Sequence, residues 1–141
     1  MILYLDTSSL VKLYVPEMKS AAVKRLVDAA EVIATSRIAY AEARSAFARK
    51  RRERGVSPTD YRTIMQDFDH DWENYFVVDV SDALVKLGGL LAEKHALRGF
   101  DAIHLASAVI IKKQGDRPVS FSCFDASLTR AARREGLTIA S

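Results

Sequence analysis

Cysteine is almost missing from this chain: its 141 residues include only Cys123. A lone thiol has no intrachain partner, which excludes a disulfide framework and makes the cytosol the expected compartment. Long apolar runs are missing too. The longest, residues 102–111, is interrupted by His104 and Ser107 and falls well short of the roughly 18 residues that cross a bilayer. No basic region precedes the first apolar run, Ile2-Leu3-Tyr4-Leu5, and that run is too short for a signal peptide. No Asn-Gly hairpin signal, internal repeat, linker or low-complexity stretch occurs, and no His or Cys cluster has zinc spacing. Disulfide scaffolds, membrane spans, fibrous repeats and zinc sites are therefore set aside.

What is present is enough for one core. Apolar residues make up 49% of the chain, and the length suits one domain over residues 1–141 that buries roughly 68–70% of its extended surface. Short apolar runs alternate with helical patterns. Ile2 to Leu5 leads into the capping cluster Asp6-Thr7-Ser8-Ser9, whose short helix is closed by Pro16. A helical stripe from Met18 to Ala30 precedes the β-like Val32-Ile33-Ala34. Ser36 is the expected cap of a helix running to Gly55, and Ser57-Pro58-Thr59-Asp60 opens another with the apolar stripe Tyr61, Ile64, Met65, Phe68 and Trp72. Residues 75–78 read as a strand, and Ser81 caps a helix expected to end at Gly99. Inside it, Gly88-Gly89 costs about 1 kcal/mol per glycine relative to alanine, which suggests a close backbone approach. A helix over 102–113, apolar on nearly every side, should be buried. A strand over 119–124, a helix from Asp125 to Gly136 and a short strand over 137–140 complete the chain. This order predicts an α/β fold, a parallel sheet of about five strands with helices on both faces.

In open parallel sheets, ligands bind beyond the carboxyl ends of the strands. Asp6 and Asp125 each follow an apolar run at that end, although each reads equally as a helix N-cap. Glu42 falls inside the apolar arc of its helix, between Ile38 and the pair Ala39 and Ala46. A carboxylate there requires a partner, either a cation of a structural salt bridge or a functional one. Asp101 stands at the start of the buried helix and can serve as its cap or face the same edge of the sheet. Four carboxylates within a few ångströms repel one another unless divalent cations neutralise them. An oxygen-only donor set points to Mg²⁺ or Mn²⁺.

The charge balance agrees. The chain carries 21 basic and 18 acidic residues; setting the four acids aside leaves 14 against 21, a surplus of seven on the rest of the molecule, which suits a phosphate-rich polymer. The densest basic run, Arg49-Lys50-Arg51-Arg52-Glu53-Arg54, is either a surface for a nucleic-acid backbone or a solvated helix end.

Four segments, Asp6-Thr7-Ser8-Ser9-Leu10-Val11-Lys12-Leu13-Tyr14, Glu42, Phe100-Asp101-Ala102-Ile103-His104-Leu105-Ala106-Ser107-Ala108 and Phe124-Asp125-Ala126-Ser127-Leu128, together resemble the PIN domain, specifically the VapC-type toxins, over the whole chain. The resemblance implies a three-layer α/β/α sandwich and a Mg²⁺- or Mn²⁺-dependent endoribonuclease, the toxin of a toxin–antitoxin pair. It implies Asp6 and Asp101 as metal ligands, Glu42 and Asp125 completing the acidic site, and Ser8 supporting the first aspartate. It further implies a homodimer, and an antitoxin whose C-terminal segment lies across the groove with an Arg among the carboxylates. Cys123 departs from the pattern, standing where many relatives carry threonine or serine.

The expected chemistry is in-line attack of metal-activated water on the phosphodiester, leaving 5′-phosphate and 3′-hydroxyl ends. His70 and His95 fall on helices away from the strand ends. His104, three residues past Asp101, can approach the site, but its apolar helix makes a hydrogen-bonded core histidine the simpler expectation. Receiver domains want adjacent acids after the first strand and dehalogenase-like phosphatases a second Asp two residues on. Asp6-Thr7-Ser8 supplies neither. A non-enzymatic alternative is an RNA- or antitoxin-binding module with a vestigial acidic site.

Overall fold

The computed structural model describes residues 1–140. Five parallel strands form one sheet in the order β3-β2-β1-β4-β5: β1 (Ile2–Leu5), β2 (Val32–Ser36), β3 (Phe76–Val78), β4 (Val119–Ser122) and β5 (Thr138–Ile139). The first half of the chain builds outward from β1 through β2 to β3, and the second half returns to lie on the other side of β1. The strand order therefore reverses between β1 and β4.

That reversal sorts the helices. α1 (Thr7–Val11), α2 (Ser20–Ala29), α3 (Ala39–Arg54) and α4 (Pro58–Trp72) share one core with Leu3 and Leu5 of β1. α5 (Asp82–His95), α6 (Gly99–Gln114) and α7 (Ala126–Arg134) share the other with Tyr4, the residue between them. The period-2 alternation of a strand buried on both faces thus divides the two layers of helices. The first core is aromatic: Phe68 packs edge-on against Phe47 and Tyr14 and stacks with Tyr40. The second is largely aliphatic, with Tyr4 stacked on Phe121. Among the described residues no helix is long and apolar enough to cross a membrane.

Local chemistry accounts for most element ends. Ser57 and Ser81 accept the N–H of Asp60 and Leu84 at 3.0 and 3.1 Å, and Pro58 opens α4. Gly55 closes α3 with φ +66°, a conformation glycine adopts without steric cost. Three expectations are corrected. Ser36 is the last residue of β2 and its hydroxyl accepts from Ile38 N–H, while Ile38 itself is the helix cap. α5 ends at His95, four residues before Gly99, capped by Ala96 in the left-handed region (φ 54°), where Leu97 N–H bonds back to the Ala92 carbonyl at 3.0 Å. Gly99 instead begins α6, so Asp101 lies in its first turn and is not its cap. The glycine pair divides: a Cβ on Gly88 would stand 2.9 Å from Ile103 Cδ1, whereas one on Gly89 would meet nothing within 4 Å. Only Gly88 marks a close helix–helix approach.

Candidate active site

Beyond the carboxyl ends of β1 and β4, where the strand order reverses, lies a cleft of about 470 Å³ lined by Asp6, Glu42, Asp101 and Asp125. The fold brings the four acids singled out in the sequence to one opening, each from a different segment. Ser8 lines it as well.

Asp6 is almost fully buried and caps α1: its Oδ1 accepts from Ser9 N–H at 3.0 Å and from the Ser8 hydroxyl at 2.7 Å. Burial raises its carboxyl above the usual aspartate value, aided by the nearby Asp101 charge and opposed by His104 and the two hydrogen bonds. Asp125 caps α7 in the same way, accepting from Leu128 N–H at 2.8 Å. Asp101 pairs with Arg98, whose Nη2 stands 3.2 Å from Oδ2. Glu42 Oε1 accepts from the Thr7 hydroxyl at 2.6 Å and lies 2.9 Å from His104 Nε2. Burial pushes Glu42 up, but the bonds from His104 and Thr7 outweigh it and hold the carboxyl below its ordinary value.

Cationic side chains surround the acids. Lys12, Arg49, Lys50 and Arg98 line the same cleft. Glu17 ties Lys12 and Lys50 together, and the Lys12 ammonium stands 4.2 Å above the Phe124 ring. The basic run divides at this point. Arg49 and Lys50 line the cleft, whereas Arg51 stacks on Tyr61 at 4.8 Å and Arg52 is exposed outside it. The side chain of Arg54 lies outside the described residues.

Sequence reasoning passed over Thr7, Lys12, Glu17 and Arg98. Thr7 follows the first aspartate directly and Arg98 sits one turn before Asp101, but neither adjacency announces a role until helix and strand are placed. His104 is a buried, hydrogen-bonded histidine as expected, yet its partners include the Glu42 carboxylate and it lines the cleft. His70 and His95 do not line it; His95 Nε2 lies 2.7 Å from Glu135 Oε2. Cys123 faces Thr129 at 3.2 Å, and burial raises its thiol.

The donor set fits a hard cation. Every acid offers only oxygen, and Asp6 feels the Asp101 charge. Among the described residues, no three His, Cys, Asp or Glu side chains are gathered into a ready metal cage. Mg²⁺ does not require one, since it keeps several waters and takes one or two carboxylates.

Fold and cleft together define an α/β protein with an acidic centre at the switch point of a parallel sheet. The PIN domain family model matches residues 3–134, and the chain belongs to that family. It is 32% identical over 143 residues to the ribonuclease VapC45 of Mycobacterium tuberculosis, covering 99% of this chain and 94% of that protein. Among solved structures it resembles FitAcB from Neisseria gonorrhoeae, with TM-score 0.67, 17% identity and coverage of 100% and 97% of the two chains. It also resembles Mycobacterium tuberculosis VapC20, a sarcin–ricin loop cleaving toxin, with TM-score 0.65, 19% identity and coverage of 92% and 94%. At these identities the structural likeness is one of fold.

Proposed function

We propose that this protein is an endoribonuclease, the toxin of a toxin–antitoxin pair, and that Asp6, Glu42, Asp101 and Asp125 form its catalytic centre. The observation that carries the reading is the convergence of four carboxylates from four segments on one cleft rimmed by Lys12, Arg49, Lys50 and Arg98. The kinship with VapC45, a ribonuclease by name, supports it.

Asp6 and Asp101 would hold Mg²⁺ or Mn²⁺, with Glu42 and Asp125 completing the site. Such an ion would make a bound water more acidic than bulk water and supply positive charge against that gathering on the reacting phosphate. The chain's own residues do the rest. Ser8 and Ser9 fix the orientation of Asp6. The basic rim draws the phosphate backbone toward the acids and sets its path. Water is the nucleophile and the 3′-oxygen the leaving group, so the P–O3′ bond breaks, the 3′-oxygen takes a proton, and the products carry 5′-phosphate and 3′-hydroxyl ends; 2′,3′-cyclic phosphate would contradict this chemistry.

The partners are an RNA substrate, a second copy of the chain and a cognate antitoxin. Solved relatives of the same fold include toxin–antitoxin complexes. The antitoxin would cross the cleft and place an Arg among carboxylates that already accept Arg98. For the homodimer, the outer side of α4 is polar, and the exposed apolar side chains include Met18, Phe76, Leu90 and Phe100.

The test is incubation of the protein, freed of antitoxin, with total cellular RNA in Mg²⁺, in Mn²⁺ and in EDTA, beside an Asp6→Asn control. Fragments that require metal and are absent with the variant are expected. No cleavage with any metal would favour a binding module, and cleavage persisting in EDTA and in the variant would place the active site elsewhere.

A further inference from the structure

His104 stands on α6 one turn past Asp101, with its ring 2% exposed. Each ring nitrogen has a partner. Nδ1 lies 2.8 Å from the hydroxyl of Tyr4, a fully buried residue of β1, and Nε2 lies 2.9 Å from Glu42 Oε1. Thr7 donates to the same Glu42 oxygen at 2.6 Å and sits 3.2 Å from Nε2.

Counting hydrogens fixes the direction of this chain. Tyr4 keeps its proton, since burial raises its phenol well above the ordinary value. The neighbouring hydroxyls of Ser107 and Thr35 direct their own hydrogens to the Ile103 and Leu5 carbonyls, each at 2.7 Å. The Tyr4 hydroxyl has Nδ1 as its partner at 2.8 Å; with its proton directed there, a neutral imidazole that accepts at Nδ1 carries its hydrogen on Nε2. Nε2–H points to Glu42, while the single hydrogen of Thr7 is committed to that carboxylate. Glu42 Oε1 thus receives two donors, and none of these contacts engages Oε2.

We infer that His104 is a positioning residue for Glu42: held in its Nε2–H form by Tyr4, it acts with Thr7 to pin one carboxylate oxygen and leave the other to the cleft. A half-exposed glutamate otherwise samples several rotamers, and ordering its side chain costs free energy at the moment of binding. Here the fold has ordered it in advance, as partners behind a ligand commonly do.

The test has two arms, of which only the kinetic one rests on the nuclease reading. Two-bond ¹H–¹⁵N spectra of the metal-free protein at neutral pH, with the His104 signals assigned by their loss in His104→Gln, should show a bare Nδ1 and a protonated Nε2. A ring protonated on both nitrogens, or on Nδ1 alone, overturns the inference. In the kinetic arm, His104→Leu should lower kcat about 10- to 100-fold with little change in KM. His104→Gln, whose amide N–H replaces Nε2–H, should recover most of that loss. Equal kcat per folded molecule in wild type and Leu variant, with only Tm reduced, would mean a purely structural histidine. If His104→Leu does not fold, Thr7→Val, which removes the second donor nearer the surface, must lower kcat, with recovery in Thr7→Ser. Wild-type protein that cuts no RNA would remove the nuclease reading, and the spectrum alone would then decide the hydrogen-bond chain.

Discussion

The four carboxylates of the cleft are of two kinds. Asp6 and Asp125, at the strand ends, are helix caps: each gives Oδ1 to the backbone N–H three residues on. Glu42 and Asp101, on helices, cap nothing and meet only side chains, His104 and Thr7 for one and Arg98 for the other. The strand-end acids therefore carry a folding duty that a neutral oxygen can perform and a chemical duty that it cannot. The helix acids carry the second alone. Burial raises the carboxyls of both Asp6 and Glu42, but with opposite net results: Asp6 stays raised because its donors do not offset its desolvation, and Glu42 is lowered because its donors do.

The sharpest way to break this distinction is at Asp6. Asp6→Asn keeps an oxygen for the Ser9 N–H and removes the charge. RNA cleavage should fall on the order of 10³-fold, the equivalent of several kcal/mol of lost charge stabilisation. Tm in metal-free buffer should hold or rise, because a buried carboxylate beside Asp101 has gone. Asp6→Ala should be as inactive and less stable than Asp6→Asn by about 1 kcal/mol, the typical worth of an N-cap. Denaturant melts showing Asn and Ala equally stable would remove the capping duty.

The strand-end acids were legible in the sequence because capping clusters follow short apolar runs, and the alternation of strand and helix was legible for the same reason. Glu42 is visible only as a charge on an apolar arc; its partners come from α1 and α6, which no periodicity brings together. Asp101 reads as a cap because the apolar run begins at Ala102 and Gly99 looks like the end of the preceding helix, whereas α6 begins at Gly99. Ala96 performs that ending through a left-handed conformation that a β-carbon disfavours, so no residue type signals it. His104 could be read as buried, but not as bonded to the acid, since that depends on α6 crossing above β1. The site's cations were hidden for a related reason: Lys12 and Lys50 meet only through Glu17, across 33 residues.

The opposite shifts predict opposite pH dependences, the next effect in size. Asp6 has a folded pKa above its ordinary 3.8, so it favours the folded state fully below that value and the benefit is lost as pH rises through the raised pKa. Glu42 has a folded pKa below its ordinary 4.5, so its contribution is present above 4.5 and is lost as pH falls through the lowered pKa. In EDTA, the stability of Asp6→Asn relative to wild type should therefore grow between acid and neutral pH, and that of Glu42→Gln should decline over the same range. Parallel curves for the two variants in urea titrations would show that burial does not distinguish these acids.

The smallest effect sharpens the comparison from the outside, at the basic end of α3, where the same division recurs between residues that face the cleft and those that do not. Lys50 lines the cleft beside Glu17, and Arg52, two residues on, is exposed elsewhere. Lys50→Gln should weaken RNA binding and reduce the salt slope of log affinity by about one, the signature of a single phosphate contact, while Arg52→Gln should leave both unchanged. The loss of the Lys50–Glu17 pair complicates only stability, because Glu17 retains Lys12 and one such pair near the surface is worth at most about 1 kcal/mol. Fluorescence anisotropy on a metal-free Asp6→Asn background, where RNA binds without being cut, isolates the term. Equal slopes for the two variants would mean that the whole basic run acts as diffuse charge and that the cleft does not select which of its cations meets the phosphate.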